Sequence, residues 1–171
     1  MATQIHGLEP ALRRMRAIGD SKTVKKLARK AAREAINIVR DAARANAKAI
    51  DDKDSPAKIW KNIVSRSGKT SNKNAVRERV GVLGGASFGD GKTTIVTKKE
   101  YKNFVGPINS STVIGLTGGD TRHWRWIEFG TSEQAARPFM RPALSENTDK
   151  VTDKFVQSFR RELDAVLGVI K

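Results

Sequence analysis

Cysteine is absent from this chain of 171 residues, so neither a disulfide framework nor a thiolate metal centre can be built. Histidine is nearly absent: His6 and His123 give too little material for an imidazole-built metal site. No uncharged apolar run approaches the ~20 residues that a membrane-spanning helix requires, so no membrane partner is expected. The opening MATQIHGLEPALRR has no apolar core of the kind a secretory signal carries, so export by that route is not expected. Acidic residues are the scarce charge. Eighteen Asp and Glu face 33 Lys and Arg, a formal net charge of +15. Such a field favours an acidic partner, either nucleic acid or an acidic protein surface, without choosing between them. Virion, ribosomal, nucleoid and nuclease proteins all share the bias. The length suits a single domain over 1–171 with extended ends.

What is present is helical at both ends. Residues 7–18 read as a short amphipathic helix with Leu8, Leu12, Met15 and Ile18 on one side. Gly19 and Asp20 interrupt it, and Ser21 is the expected N-cap of the next helix. Residues 22–49 carry the strongest helical pattern: Val24, Leu27, Ala31, Ala35, Ile38, Ala42, Ala45 and Ala49 recur at steps of three and four. Lys22, Lys26, Arg29, Arg33, Arg40, Arg44 and Lys48 gather on the opposite side as a basic ridge. Residues 56–65 predict a short helix with Pro56 in its first turn, followed by a polar loop at 65–74. Strands are predicted within 75–83, 92–98, 111–117 and 123–129, with a glycine-rich excursion at 84–91. KKEYKNFVG (98–106) reads as a helical turn or an irregular loop. From Pro142 a stripe of Leu144, Val151, Phe155, Phe159, Leu163, Val166 and Ile170 predicts a helix over 142–170. This order argues for an α+β fold: a small, mostly antiparallel sheet of about four strands at 75–129, packed by a long N-terminal helix within 7–49 and a C-terminal helix.

Enzymatic chemistry finds little support. GDGKTT (89–94) suggests a phosphate loop, but the spacing requires glycine at position 86, where Ala86 stands, and the loop leads into a strand pattern rather than a helix. His123 and Glu128 could form an acid–base pair, but on a strand their odd separation puts them on opposite faces. Glu128 then pairs with a nearby Arg at a sheet surface. Asp51, Asp52 and Asp54 read as a solvated run at a helix end. The basic ridge is either a solvated face or a surface for phosphates or an acidic protein; no base-reading motif accompanies it. On the predicted fourth strand Trp124 and Trp126 share one face, and Ile127 and Phe129 share the other. Such a strand must be covered on both sides, by the chain's own helices or by a neighbouring subunit.

The stretch HWRWIEFGTSEQAARPFMRPAL resembles the signature of neck and tail-completion proteins of long-tailed bacteriophages. There an aromatic strand runs into Glu-Phe-Gly-Thr, and Pro-Phe with a second Pro-Ala opens the last helix. The matching residues are Glu128, Phe129, Gly130, Thr131, Arg137, Pro138, Phe139, Arg141, Pro142 and Ala143. The Gly7–Glu9 opening, the basic alanine-rich helix ending at AARANA (42–47) and RVGVLGG (79–85) are also similar. The chain departs from the family at AKIWKNIV (57–64), where a Gly-x-Leu-x-x-Ser-Ile segment is usual. The resemblance implies a non-enzymatic virion subunit without a cofactor, made in the host cytoplasm. It implies a ring of identical copies joining tail to head around the DNA channel. Connector, tail-terminator or tail-tube proteins would be its neighbours, and packaged double-stranded DNA a candidate partner of the basic ridge. The alternative reading is a free, sequence-independent nucleic-acid-binding protein; a basic nuclease or nucleotide-dependent enzyme is a third.

Overall fold

The computed structural model describes residues 20–72, 74–84, 94–103 and 113–169. The predicted helix at 7–18 and all but Gly84 of the glycine-rich excursion lie outside the described residues. The architecture is α+β. Helix α1 (Ser21–Ala49) is followed by α2 (Ile59–Asn62), which passes directly into β1 (Ile63–Ser67). Next come β2 (Glu78–Val82), β3 (Thr94–Thr97), α3 (Lys98–Lys102) and β4 (Val113–Leu116). Three helices end the chain: α4 (Trp124–Phe129), α5 (Met140–Ser145) and α6 (Thr148–Val169). The chain divides into two compact units, one of residues 1–39, 65–79 and 147–171, the other of 40–64 and 80–146.

The single sheet of about four strands is not formed. The strands make two separate two-stranded sheets, β1 with β2 and β3 with β4. The first pair is antiparallel and the second parallel, with Thr94 opposite Val113 and Thr97 opposite Leu116. A parallel pair needs a crossover connection, and α3 begins it. Thr97 accepts a hydrogen bond from the Glu100 amide while the Glu100 carboxylate accepts one from the Thr97 amide, a reciprocal cap that starts α3 at once. Two further expectations are corrected. Residues 63–67, read as the end of a helix and a loop, are strand β1, and 123–129, read as a strand, is helical. The C-terminal helix is broken into α5 and α6 between Ser145 and Thr148.

In the first unit α1 packs on α6. Leu27, Ala31, Phe159 and Leu163 form a buried cluster, with Val24, Ala28, Phe155 and Val166 against it. Phe155 and Phe159 stack with ring centroids 5.6 Å apart. Asp20 caps α1 in place of the expected Ser21: its carboxylate accepts from the amides of Lys22 (2.9 Å) and Thr23 (3.1 Å). The buried row along α1 is Leu27, Ala31, Ala35, Val39, Ala43 and Ala47, not the predicted Ile38, Ala42, Ala45 and Ala49. A repeat of four residues overshoots a 3.6-residue turn by ~40° each time, so the buried line winds around the helix. By its C-terminal half it has advanced toward the basic side.

Alongside the apolar cluster, Arg161 reaches Glu34 at 2.7 Å and Lys30 reaches Glu162 at 2.7 Å. The Ser158 hydroxyl donates to Glu34 at 2.8 Å. The Ser158 bond, then Arg161, hold the Glu34 carboxyl below its ordinary value of 4.5; Lys30, then Arg161, do the same for Glu162. A carboxylate whose folded value is lowered stabilises fully above the unfolded value and ceases to do so as pH falls through the folded one. The thermal midpoint should therefore fall as pH drops below 4.5, and a Glu34→Gln, Glu162→Gln double variant should flatten that acid limb. Unfolding curves across the acid range check this; an unchanged limb in the double variant refutes it.

In the second unit Asn62 is a fully buried polar node. Its side-chain amide donates to Gly119 O (3.0 Å) and Thr121 Oγ1 (2.8 Å), and its carbonyl accepts from the Gly118 amide at 2.8 Å. The Asn62 backbone carbonyl accepts from Leu83, and the Gly118 carbonyl from Lys58, both at 2.8 Å. The chain after β4 is thus held against α2. A Cβ on Gly118 would lie 2.1 Å from the Lys58 carbonyl oxygen, so Gly118→Ala must push backbone apart. We expect a loss of at least about 1–3 kcal/mol, the usual range for overpacking, read from urea unfolding.

Candidate functional site, the segment from Trp124 to Ser145

Helix α4 has only six residues, yet each of its sides has a separate task. His123 and Ile127, four apart, line a cavity. Trp124 and Glu128, also four apart, turn inward: Glu128 is 1% exposed, and the Trp124 indole nitrogen is buried without an acceptor among the described residues. Trp126 and Phe129, three apart, are each 63% exposed. Arg125 lies over the Trp124 ring at 5.7 Å. A seven-residue aromatic run is ambiguous between strand and helix when read alone. Two flanking signals decide it. Asp120 accepts from the Arg122 amide at 3.1 Å and so turns the chain before the helix. Gly130, at φ 77° and ψ 177°, ends it, donating its amide to Trp126 O at 2.8 Å. That backbone region is essentially closed to residues with a Cβ.

The link that follows is braced at each step. Thr131 Oγ1 accepts from the amides of Glu133 (3.2 Å) and Gln134 (3.0 Å), and the Thr131 amide donates to Gln134 O at 2.9 Å. The Arg137 amide donates to Ile127 O at 2.7 Å. Pro138 leads to Phe139, which is completely buried. Phe139 has no side-chain oxygen with which to cap α5, and Glu128 supplies the cap from α4 instead. One carboxylate oxygen accepts from the amides of Phe139 (2.7 Å) and Met140 (2.9 Å); the other accepts from the amide of Arg141 (3.1 Å) and its Nε (3.4 Å). The Arg141 guanidinium also donates to Glu128 O at 2.8 Å and lies 5.1 Å from the Phe129 ring centre. Pro142 follows within the first turn of α5, where its missing N–H is no loss. Glu128 therefore binds a helix N-terminus, where free amides and the helix dipole both favour an anion. The expected ion pair with an Arg is formed, by Arg141 at 3.4 Å, but the carboxylate is buried and joins two helices instead of lying at a sheet surface.

The basic ridge does not form one uniform surface. Lys22, Lys26 and Arg29 are exposed, and none of them forms an ion pair with another described residue. Arg33 reaches the Ser67 hydroxyl (3.2 Å) and, at 3.9 Å, Glu78. Arg40 pairs with Asp41 at 2.8 Å, Arg44 donates to Ile63 O at 2.9 Å, and Lys48 sits 5.5 Å from the Trp60 ring centre. The winding of the buried line explains the division: the last three basic residues flank the buried side and serve the second unit.

That unit also holds a cavity of about 260 Å³. Its lining combines the apolar Ala47, Ile50, Ile59 and Ile127, the acidic Asp51 and Asp52, and Gln134, Ala135 and Arg137 from the link before α5. Asp51 is paired with Lys58 at 3.5 Å, while Asp52 is exposed. Among the described residues no group of three or more His, Asp and Glu is placed to hold a metal ion, and no helix is long and apolar enough to cross a membrane. GDGKTT lies outside the described residues apart from Thr94.

The segment thus displays aromatic and basic side chains on a short helix that Glu128 ties to the next one. Residues 11–130 match the family described as "Bacteriophage HK97-gp10, putative tail-component", and the chain belongs to that family of phage tail components. The match ends at Gly130, so the RPFMRPA half of the segment lies C-terminal to it. The comparisons with curated proteins and with solved structures gave no match. A phage tail component is part of the virion.

Replacing Glu128 with Gln should remove the charge from three backbone donors and turn an amide N–H₂ toward one of them. We expect a destabilisation of at least about 1.5–3 kcal/mol, the usual worth of one hydrogen bond to a charged group. Denaturant unfolding measures it, and an effect below about 0.5 kcal/mol would remove the capping role.

Proposed function

We propose that the chain completes the phage tail as a ring of identical copies, joining it to the head around the DNA channel. The family match over residues 11–130 carries the tail assignment. The ring is supported by the exposed aromatic pair Trp126 and Phe129, held on a helix whose position is fixed by a buried charge. Exposed aromatics on a rigid support are typical anchors of protein interfaces. Imaging of the virion neck tests the reading: a ring of this chain between head and tail is expected. Particles lacking it should accumulate as filled heads and unjoined tails. A normal head–tail joint in its absence would refute the role.

The exposed Lys22, Lys26 and Arg29 favour a second contact, between the start of α1 and phosphates of DNA in the channel or an acidic neighbouring ring. The same three residues would serve the alternative, a free sequence-independent nucleic-acid binder. Each phosphate contact contributes about 0.9 to the slope of log affinity against log salt. Replacing all three with Ala should therefore lower the slope for duplex DNA by up to about 2.7, with little sequence preference. A slope unchanged by the triple variant would turn this face toward protein rather than DNA.

A further inference from the structure

We infer that Trp126 of one copy seats in the cavity beside Asp52 of the next, a contact that rests on the ring reading above and names its two halves. Both halves lie in the same compact unit and on different sides of one short helix. Trp126 and Phe129 face solvent, while His123 and Ile127 line the cavity. The plug and the socket are different patches, Trp126 and Phe129 on one side of α4 and His123 and Ile127 on another, so one copy can offer its plug to the socket of the next. Repeated head to tail, that contact closes into a ring when the rotation allows.

Size and charge select the occupant. At about 260 Å³ the cavity falls just under the ~300 Å³ at which small-molecule sites begin, a scale suited to one large side chain among its apolar lining residues. A chain carrying +15 meets a copy of itself against repulsion unless acid is placed where the copies touch. The acidic run Asp51, Asp52 and Asp54 holds three carboxylates in four residues, and two of them line the cavity. On the plug side Arg125 is exposed next to Trp126, and the Arg141 side chain is 61% exposed beside Phe129. Seating Trp126 would bring these cations toward Asp52. Arg137 also lines the cavity and Asp51 is already paired with Lys58, so the attraction rests on the exposed Asp52.

The experiment places a photo-reactive aromatic residue, p-benzoylphenylalanine, at position 126 of the full chain. The variant is irradiated within assembled tails, and the products are mapped by mass spectrometry. A covalent dimer of this chain is expected, its link falling within 47–59 or 134–137 of the second copy. Adding Ala135→Arg, at an exposed residue of the cavity lining, should lower that dimer at least tenfold while leaving the thermal midpoint of the isolated chain unchanged. A link to a different tail protein, a link between the two positions 126, or no link at all would each overturn the inference. The ring reading fails separately, if images of the same particles show no ring of this chain.

Discussion

One buried carboxylate organises the segment from Trp124 to Ser145. Glu128 leaves α4 and ends at the N-terminus of α5, where backbone amides have no partner of their own. A carboxylate at 1% exposure is tolerable only with its oxygens fully engaged, and here they accept from three amides and a guanidinium. Other features of the segment serve that geometry. Gly130 reverses the chain in a conformation few residues allow, Thr131 tightens the turn, and the buried Phe139 gives its amide to the carboxylate. Arg141 closes it from outside and lies along Phe129. The outer face of α4 is consequently presented in a single orientation.

The second organising element is α1, whose buried line changes sides along its length. Its first half gives Leu27 and Ala31 to the cluster with α6, and its second half gives Ala43 and Ala47 to the other compact unit. The charged residues divide accordingly. Those near the start remain in solvent, while Arg44 and Lys48 are held by a carbonyl and an indole. One helix can thus support two cores and still offer a basic surface.

The legibility of the sequence followed the range of the interactions. The long helix, the strands at 78–82, 94–97 and 113–116, and the start of the last helices follow from local patterns of apolar and β-branched residues. HWRWIEF misled because its aromatic content suits a strand, and only the flanking Asp120 and Gly130 mark it as a helix. Strand β1 was hidden because α2 runs into it without a turn residue. The separation into two sheets could not be read either, since strand partners are chosen by contacts distant in sequence, such as those of Asn62. In the site the motif singles out Glu128, Gly130 and Phe139, but the cap that Glu128 supplies has no local spacing rule, because its first donor lies eleven residues away.

The alanines of α1 have a consequence for how this protein can change. Ala31, Ala35, Ala43 and Ala47 are each 1% exposed or less, so the surfaces around them approach nearly to the helix backbone. Deleting a methyl group there removes little apolar contact, whereas adding even one or two carbons has no space to enter without strain. The exposed lysines beside them have no such constraint. Sequence drift in this helix should therefore be free in charge and closed in volume, and relatives should differ most in their electrostatics while keeping the same narrow seam.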